Sequence, residues 1–226
     1  MVKSKEMPAA TGTADTAVVA GAAVATKATV LAVWLAVLAA GYAALGRFEG
    51  TPGERHVAPA IWPSASALPR DGERATLLMF VHPRCPCTAA GLQTLRELLE
   101  RQPEACSARV LVVSPPGADK SFAAAALSRI AMELPAAEVC RDVDGAEAVR
   151  FGAATSGQTL LYAADGGLLF AGGVTPARGQ QGESAAAAAL SAALLSGRAA
   201  AAGRQVFGCP LFDKTSSCLE QPCSRQ

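Results

Sequence analysis

The sequence predicts an α/β domain built on a central mixed sheet and preceded by one N-terminal transmembrane helix. Three observations carry that prediction. An unbroken apolar run, Ala75–Val81, gives way to an amphipathic helical pattern opening at Thr88. Strand-like and helix-like segments then alternate as far as a hairpin signal, Ala164-Asp165-Gly166-Gly167. Residues 28–45 carry no charged side chain, close to the ~17–25 apolar residues that a bilayer core demands of a helix.

Taken in order, residues 1–27 are small and polar at first and are expected as a disordered, cytoplasmic N-terminus. Residues 28–48 form the expected anchor. A cleaved signal peptide is the competing reading, with Lys27 as its basic start and Ala39, Ala40, Gly41 and Ala43 near a cut. The run exceeds the usual ~7–15-residue signal core, which favours retention. Lys3, Lys5 and Lys27 precede it against Arg47 and Arg55 after it, so the basic bias puts the N-terminus inside and the rest outside.

Residues 49–73 hold Pro52, Pro59, Pro63 and Pro69 and read as a semi-extended tether whose Ile61-Trp62 pair docks on the domain. The domain itself is expected over residues 74–204. After the first strand, residues 88–101 place Leu92, Leu95, Leu98 and Leu99 on one helical face. Residues 108–113 form a second strand. Asp119 or Ser121 caps a helix that turns Phe122, Leu127, Ile130 and Leu134 inward. A short strand follows at residues 138–142, then a helical turn near residues 146–151.

Residues 158–163 and 168–172 flank the hairpin turn. The alanine-rich stretch from residue 183 to about 202 is the last helix, with Ser184 as cap and Gly197 as a break. Such an order implies a sheet that begins parallel and ends antiparallel. Residues 205–226 are a tail without periodicity.

Charge narrows the function. Lys and Arg total 20 against 19 Asp and Glu, so nothing calls for a polyanion and nucleic-acid binding is excluded as a leading reading. Seven cysteines are many for a reducing cytosol and suit an oxidising compartment or a metal site. Cys140 lies in a strand pattern as a small apolar residue, and Cys106 in a loop. Cys209, Cys218 and Cys223 fall in the tail, where a disulfide such as Cys209 with Cys218 or Cys223 would pin an otherwise weakly apolar segment. Cys209 is alternatively an electron relay for the pair described next.

Cys85-Pro86-Cys87 stands at the strand-to-helix junction. Two thiols there can cycle between dithiol and disulfide, and the first turn of a helix favours the thiolate. With Cys85 at the N-cap, Pro86 takes the first helical position, where its missing N–H costs nothing. His82 lies three residues before Cys85 and is placed to stabilise a thiolate, move a proton or ligate a metal, or else to make a plain polar contact. Arg84 either lowers a thiol pKa or is merely solvated. Soft Cu(I) accepts thiolates at irregular spacing, so Cys85, Cys87 and His82 form an alternative copper-ligand set.

Four motifs carry a resemblance: His82-Pro83-Arg84-Cys85-Pro86-Cys87-Thr88, Thr155-Ser156-Gly157-Gln158, Gly172-Gly173-Val174-Thr175-Pro176-Ala177-Arg178-Gly179, and Phe207-Gly208-Cys209-Pro210-Leu211. With the element order, they resemble the thioredoxin superfamily over about residues 75–202, nearest its membrane-tethered periplasmic TlpA/ResA-like and RedB-like members. The resemblance implies a three-layer thioredoxin-like fold and a thiol-disulfide oxidoreductase facing the periplasm from the bacterial inner membrane. It makes Cys85 the nucleophile and Cys87 the resolving thiol, although aligning Pro86-Cys87 with the family's Pro-Cys step makes Cys87 the inner thiol. It brings Thr155, Ser156, Gly157 and residues 174–179 to the cysteines, with Thr88 beside them and Arg178 as the one charge there.

Two departures stand out. The family separates its cysteines by two residues, and it carries a cis-proline where this chain has Ser156-Gly157-Gln158. The cis-proline keeps metals off the thiols, so its absence sustains the copper-binding or copper-delivery alternative, beside a peroxide-reducing enzyme and a non-catalytic tethered scaffold. No glycine-rich nucleotide motif is present and no cofactor is called for. The implied partners are protein thiols and disulfides and a membrane or periplasmic electron donor.

Overall fold

The computed structural model describes residues 13–54, 57–114, 117, 120–200 and 204–212. It divides into two compact units, residues 1–48 and 49–226. Among the described residues the first holds one helix, α1 (Thr13–Glu49), of which Thr26–Glu49 is long and apolar enough to cross a membrane. Residues 13–27, expected as disordered, continue that helix instead. Their alanines have the highest helix propensity of any residue, which sustains the extension.

The second unit holds β1 (Ala75–Val81), α2 (Thr88–Arg101), β2 (Cys106–Ser114), α3 (Lys120–Glu133), β3 (Glu138–Val143), α4 (Ala146–Arg150), β4 (Gln158–Tyr162), β5 (Leu168–Gly172) and α5 (Ala185–Ser196). Its sheet runs β3-β2-β1-β4-β5. β1 pairs parallel with β2 and β2 with β3, while β4 is antiparallel to both β1 and β5. The expected switch from parallel to antiparallel is therefore present. Cys106, expected in a loop, opens β2 and is buried. Cys140 is half-buried on the edge strand β3 rather than in the core.

Alternation along β1 builds two cores. Leu77, Met79 and Val81 face one way, into Leu92, Leu95, Leu98 and Leu99 of α2, Ile130 of α3 and Leu190 of α5. Both parallel crossovers step in the same direction, and the right-handed rule lays α2 and α3 on the same face. Leu78 and Phe80 face the other way, into Phe151, Leu160, Tyr162 and Leu211. At α3, Ser121 stands inside the first turn and not at the cap, and Asp119 lies outside the described residues. At α5 the cap is as expected, with Ser184 Oγ accepting from the Ala187 N–H at 2.9 Å, but Gly197 at φ +62° ends the helix at Ser196 where about residue 202 was expected.

The presumed tether is an arm packed on the second core. Trp62 lies edge-on to Phe151 and Tyr162, with ring centres 4.9 and 5.3 Å apart. The Trp62 N–H donates to Gly166 O, and the Leu168 N–H to Ala60 O, each within 2.9 Å. Ile61, expected to dock with Trp62, bridges Gly167 through its backbone but leaves its side chain 71 % exposed. Proline removes backbone donors, yet it leaves carbonyls free to pair; Pro59 O accepts from the Tyr162 hydroxyl at 3.0 Å.

Candidate active site

β1 ends at Val81, and two tight turns carry the chain into α2. The Cys85 N–H donates to His82 O at 3.1 Å, and the Thr88 N–H to Cys85 O at 3.2 Å. These are three-residue spacings of the 3₁₀ kind, so regular helix begins only at Thr88. Cys87, not Cys85, is consequently the N-cap, and Pro86 is an exposed turn residue. Cys85 is buried, only 6 % exposed, whereas Cys87 is half-buried at the rim.

The loop before β4 supplies the second wall. Gly157 adopts φ +90°, and its N–H donates to Phe80 O at 2.7 Å, which ties the turn to β1. Ser156 is thereby turned toward the cysteines. Its hydroxyl accepts from the His82 backbone N–H at 2.9 Å and lies 3.0 Å from the Thr88 hydroxyl. The Thr155 hydroxyl points away and donates to Glu54 O at 2.9 Å.

The third wall is the tail. Residues 204–212 are laced onto the domain: Arg204 N–H donates to Ala171 O, Gly53 N–H to Val206 O, Ser156 N–H to Cys209 O and Leu211 N–H to Ala154 O. Val206 and Leu211 are buried. Pro210 bridges Thr155 in antiparallel fashion. Backbone pairing holds this part of the tail, and Cys209 stands as a free thiol. Cys218 and Cys223 lie outside the described residues.

Three sulfurs converge as a result. The Sγ atoms of Cys85, Cys87 and Cys209 all lie within 4.8 Å of one another. The close approach demands glycine at 208, because a Cβ there would sit 1.9 Å from Ser156 O. Arg178, on the loop after β5, donates through Nε to Thr51 O at 3.0 Å and through a terminal nitrogen to Gly208 O. It is thus a backbone clamp on the tail whose charge also reaches the thiols.

The electrostatics separate the three. Burial is the largest single influence on Cys85 and pushes its thiol up. The Cys209 N–H and the side chains of Thr88, Cys209 and Ser156 together outweigh it, so Cys85 lies below the ordinary thiol range. Burial raises Cys87, and the neighbouring Cys85 raises it further against the pull of Arg178. Cys209 is pushed up to about 12 by burial and then by Cys85 and Cys87. Negative charge in this site therefore settles on Cys85, through discrete donors rather than through the helix end alone.

Of the expected residues, Thr88 and Ser156 stand at Cys85, Gly157 shapes the turn, and Arg178 reaches the site through Gly208. His82 donates its backbone N–H to the Ser156 hydroxyl, and its imidazole Nδ1 accepts from the Arg84 N–H at 3.2 Å. Among the described residues His82 is not part of the three-ligand cluster; Cys209 takes the place the sequence assigned to it. Arg84 is exposed.

A cysteine pair closing the first strand and opening the next helix, on a five-stranded mixed sheet, decides the fold. The fold is thioredoxin-like. It resembles that of a hypothetical protein of Sinorhizobium meliloti 1021 (TM-score 0.52, 17 % identity, 71 % of this chain and 93 % of that one). An uncharacterized conserved protein of Geobacillus kaustophilus is similar (TM-score 0.53, 17 % identity, 73 % and 93 % covered). The solution structure of a thioredoxin-like protein in its oxidised form matches more loosely (TM-score 0.43, 17 % identity, 64 % and 97 % covered). No protein-family model and no curated protein matches the sequence. Because β4 runs antiparallel to β1 and β5 antiparallel to β4, the loops before β4 and after β5 both reach the end of β1.

Proposed function

We propose that this protein is a membrane-anchored thiol-disulfide oxidoreductase of the bacterial periplasm, working through Cys85 and Cys87. The inner membrane would hold α1, with the N-terminus cytoplasmic and residues from 49 onward outside. The observation that carries the reading is the unequal pair: a buried Cys85 ringed by hydrogen-bond donors, beside a Cys87 that solvent reaches.

In the oxidised protein an incoming substrate thiolate attacks Cys87 Sγ. The Cys85–Cys87 bond breaks and its electron pair leaves on Cys85 Sγ. There the Cys209 N–H and the Thr88 and Ser156 hydroxyls receive the charge, and a stabilised leaving thiolate departs faster. The second substrate thiolate then attacks its partner's sulfur in the mixed disulfide, releasing Cys87 and completing a two-electron transfer. Run backwards, the Cys85 thiolate takes the Cys87 proton as Cys87 attacks a substrate disulfide, and the departing substrate thiolate takes that proton in turn. Cys85 then resolves the intermediate, with the electrons drawn from a separate donor protein.

Trapping distinguishes the roles. Cys85→Ser is expected to accumulate a mixed disulfide on Cys87, detected by mass spectrometry, and Cys87→Ser to form none. Accumulation on Cys85 in Cys87→Ser would invert the assignment, and unchanged exchange in both variants would end the reading. A reversible couple between about −120 and −270 mV is expected, against the values below about −300 mV typical of structural disulfides.

A further inference from the structure

Exchange chemistry needs two sulfurs, and the structure brings three. The third arrives at some expense: a glycine with no room for a side chain at 208, an arginine clamping the Gly208 carbonyl, and two backbone hydrogen bonds that pair the tail with residues 154–156. Cys85 forms the floor of the cluster, and Cys87 and Cys209 are half-exposed, so a small ion has a path from solvent. We propose that reduced Cys85, Cys87 and Cys209 form a three-thiolate site for a soft monovalent cation, Cu(I).

The donor set selects the ion. Thiolates are soft ligands that favour Cu(I), whereas zinc in structural sites takes four ligands in a tetrahedron. Among the described residues no histidine, aspartate or glutamate joins the three cysteines within ligand reach. Three thiolates around one monovalent ion leave net negative charge, and the Arg178 guanidinium is the cation whose field reaches both Cys87 and Cys209. The site goes beyond thiol exchange; it requires that the three thiols be reduced and that they release their protons to solvent as the ion binds. Oxidation of Cys85 with Cys87 would remove two ligands at once.

The full-length protein in detergent, fully reduced and anaerobic, is titrated with Cu(I) against a chromophoric Cu(I) chelator. One equivalent per chain is expected, with three sulfur neighbours by copper X-ray absorption. Cys209→Ser should leave two sulfur neighbours and lower affinity by at least about 100-fold, the upper end of what losing only an outer-shell partner costs. Replacing Cys218 and Cys223 with serine should change neither. No competition with the chelator, equal affinity in Cys209→Ser, or dependence on Cys218 and Cys223 would each overturn the site. A parallel redox titration of Cys85 and Cys87 separates the two readings: a reversible couple without copper binding removes the metal site and leaves the exchange function standing.

Discussion

The Ser156 amide donates to the Cys209 carbonyl at 2.8 Å, and that bond seats the tail cysteine over the end of β1. The same two residues also meet through Cys85, whose sulfur takes donors from both. The tail and the loop before β4 therefore set the state of a thiol that belongs to neither.

Gly208→Ala tests the seat. The added methyl would collide with Ser156 O at 1.9 Å, and the tail must withdraw. Cys85 then loses the Cys209 N–H, a hydrogen bond to a charged group worth about 1.5–3 kcal/mol. Its thiol pKa should rise, read from the pH dependence of alkylation at Cys85. An unchanged profile would show that the tail does not govern the thiolate.

Ser156→Ala removes a donor to Cys85 and the acceptor of the His82 N–H. We expect a loss of about 1 kcal/mol in denaturant unfolding, because a half-buried amide loses its partner. Cys85 alkylation should also shift to higher pH. Ser156→Thr, which keeps the hydroxyl, should restore the profile.

Cys106 makes an alkaline prediction. Burial pushes its thiol up to about 11, with Arg74 pulling weakly the other way. The folded state favours the neutral thiol, so the unfolded chain ionises first. Its contribution is intact below about pH 8.5 and is lost as pH rises toward 11. Wild type should lose roughly 3 kcal/mol more than Cys106→Ala over that window, measured by chemical unfolding at each pH.

Trp62→Ala tests whether the arm belongs to the domain. It strips the aromatic edge contacts to Phe151 and Tyr162, and truncating a half-buried aromatic costs about 1–3 kcal/mol. A thermal midpoint within a degree or two of wild type would mean that the arm is a loose tether after all.

Local pattern foretold much of the frame. The apolar period of β1, the leucine face of α2, the Ser184 cap and the glycine turn at 166 each follow from neighbouring residues, and each stands where the pattern put it. The arm misled because prolines suggest extension, while Trp62 finds its partners some ninety and a hundred residues away.

By itself, the chain's order of residues determined the element types, their order along the chain, the apolar helix and the placing of two thiols at a strand end. Those are short-range matters of period, capping and hydrophobicity. Only the tertiary structure decided that Cys209 completes the cluster, that Cys85 carries the charge and that His82 stands aside. Distance along the chain says nothing about which carbonyl a distant amide will find, and a thiol's pKa is set by the burial, charges and donors that folding collects around it.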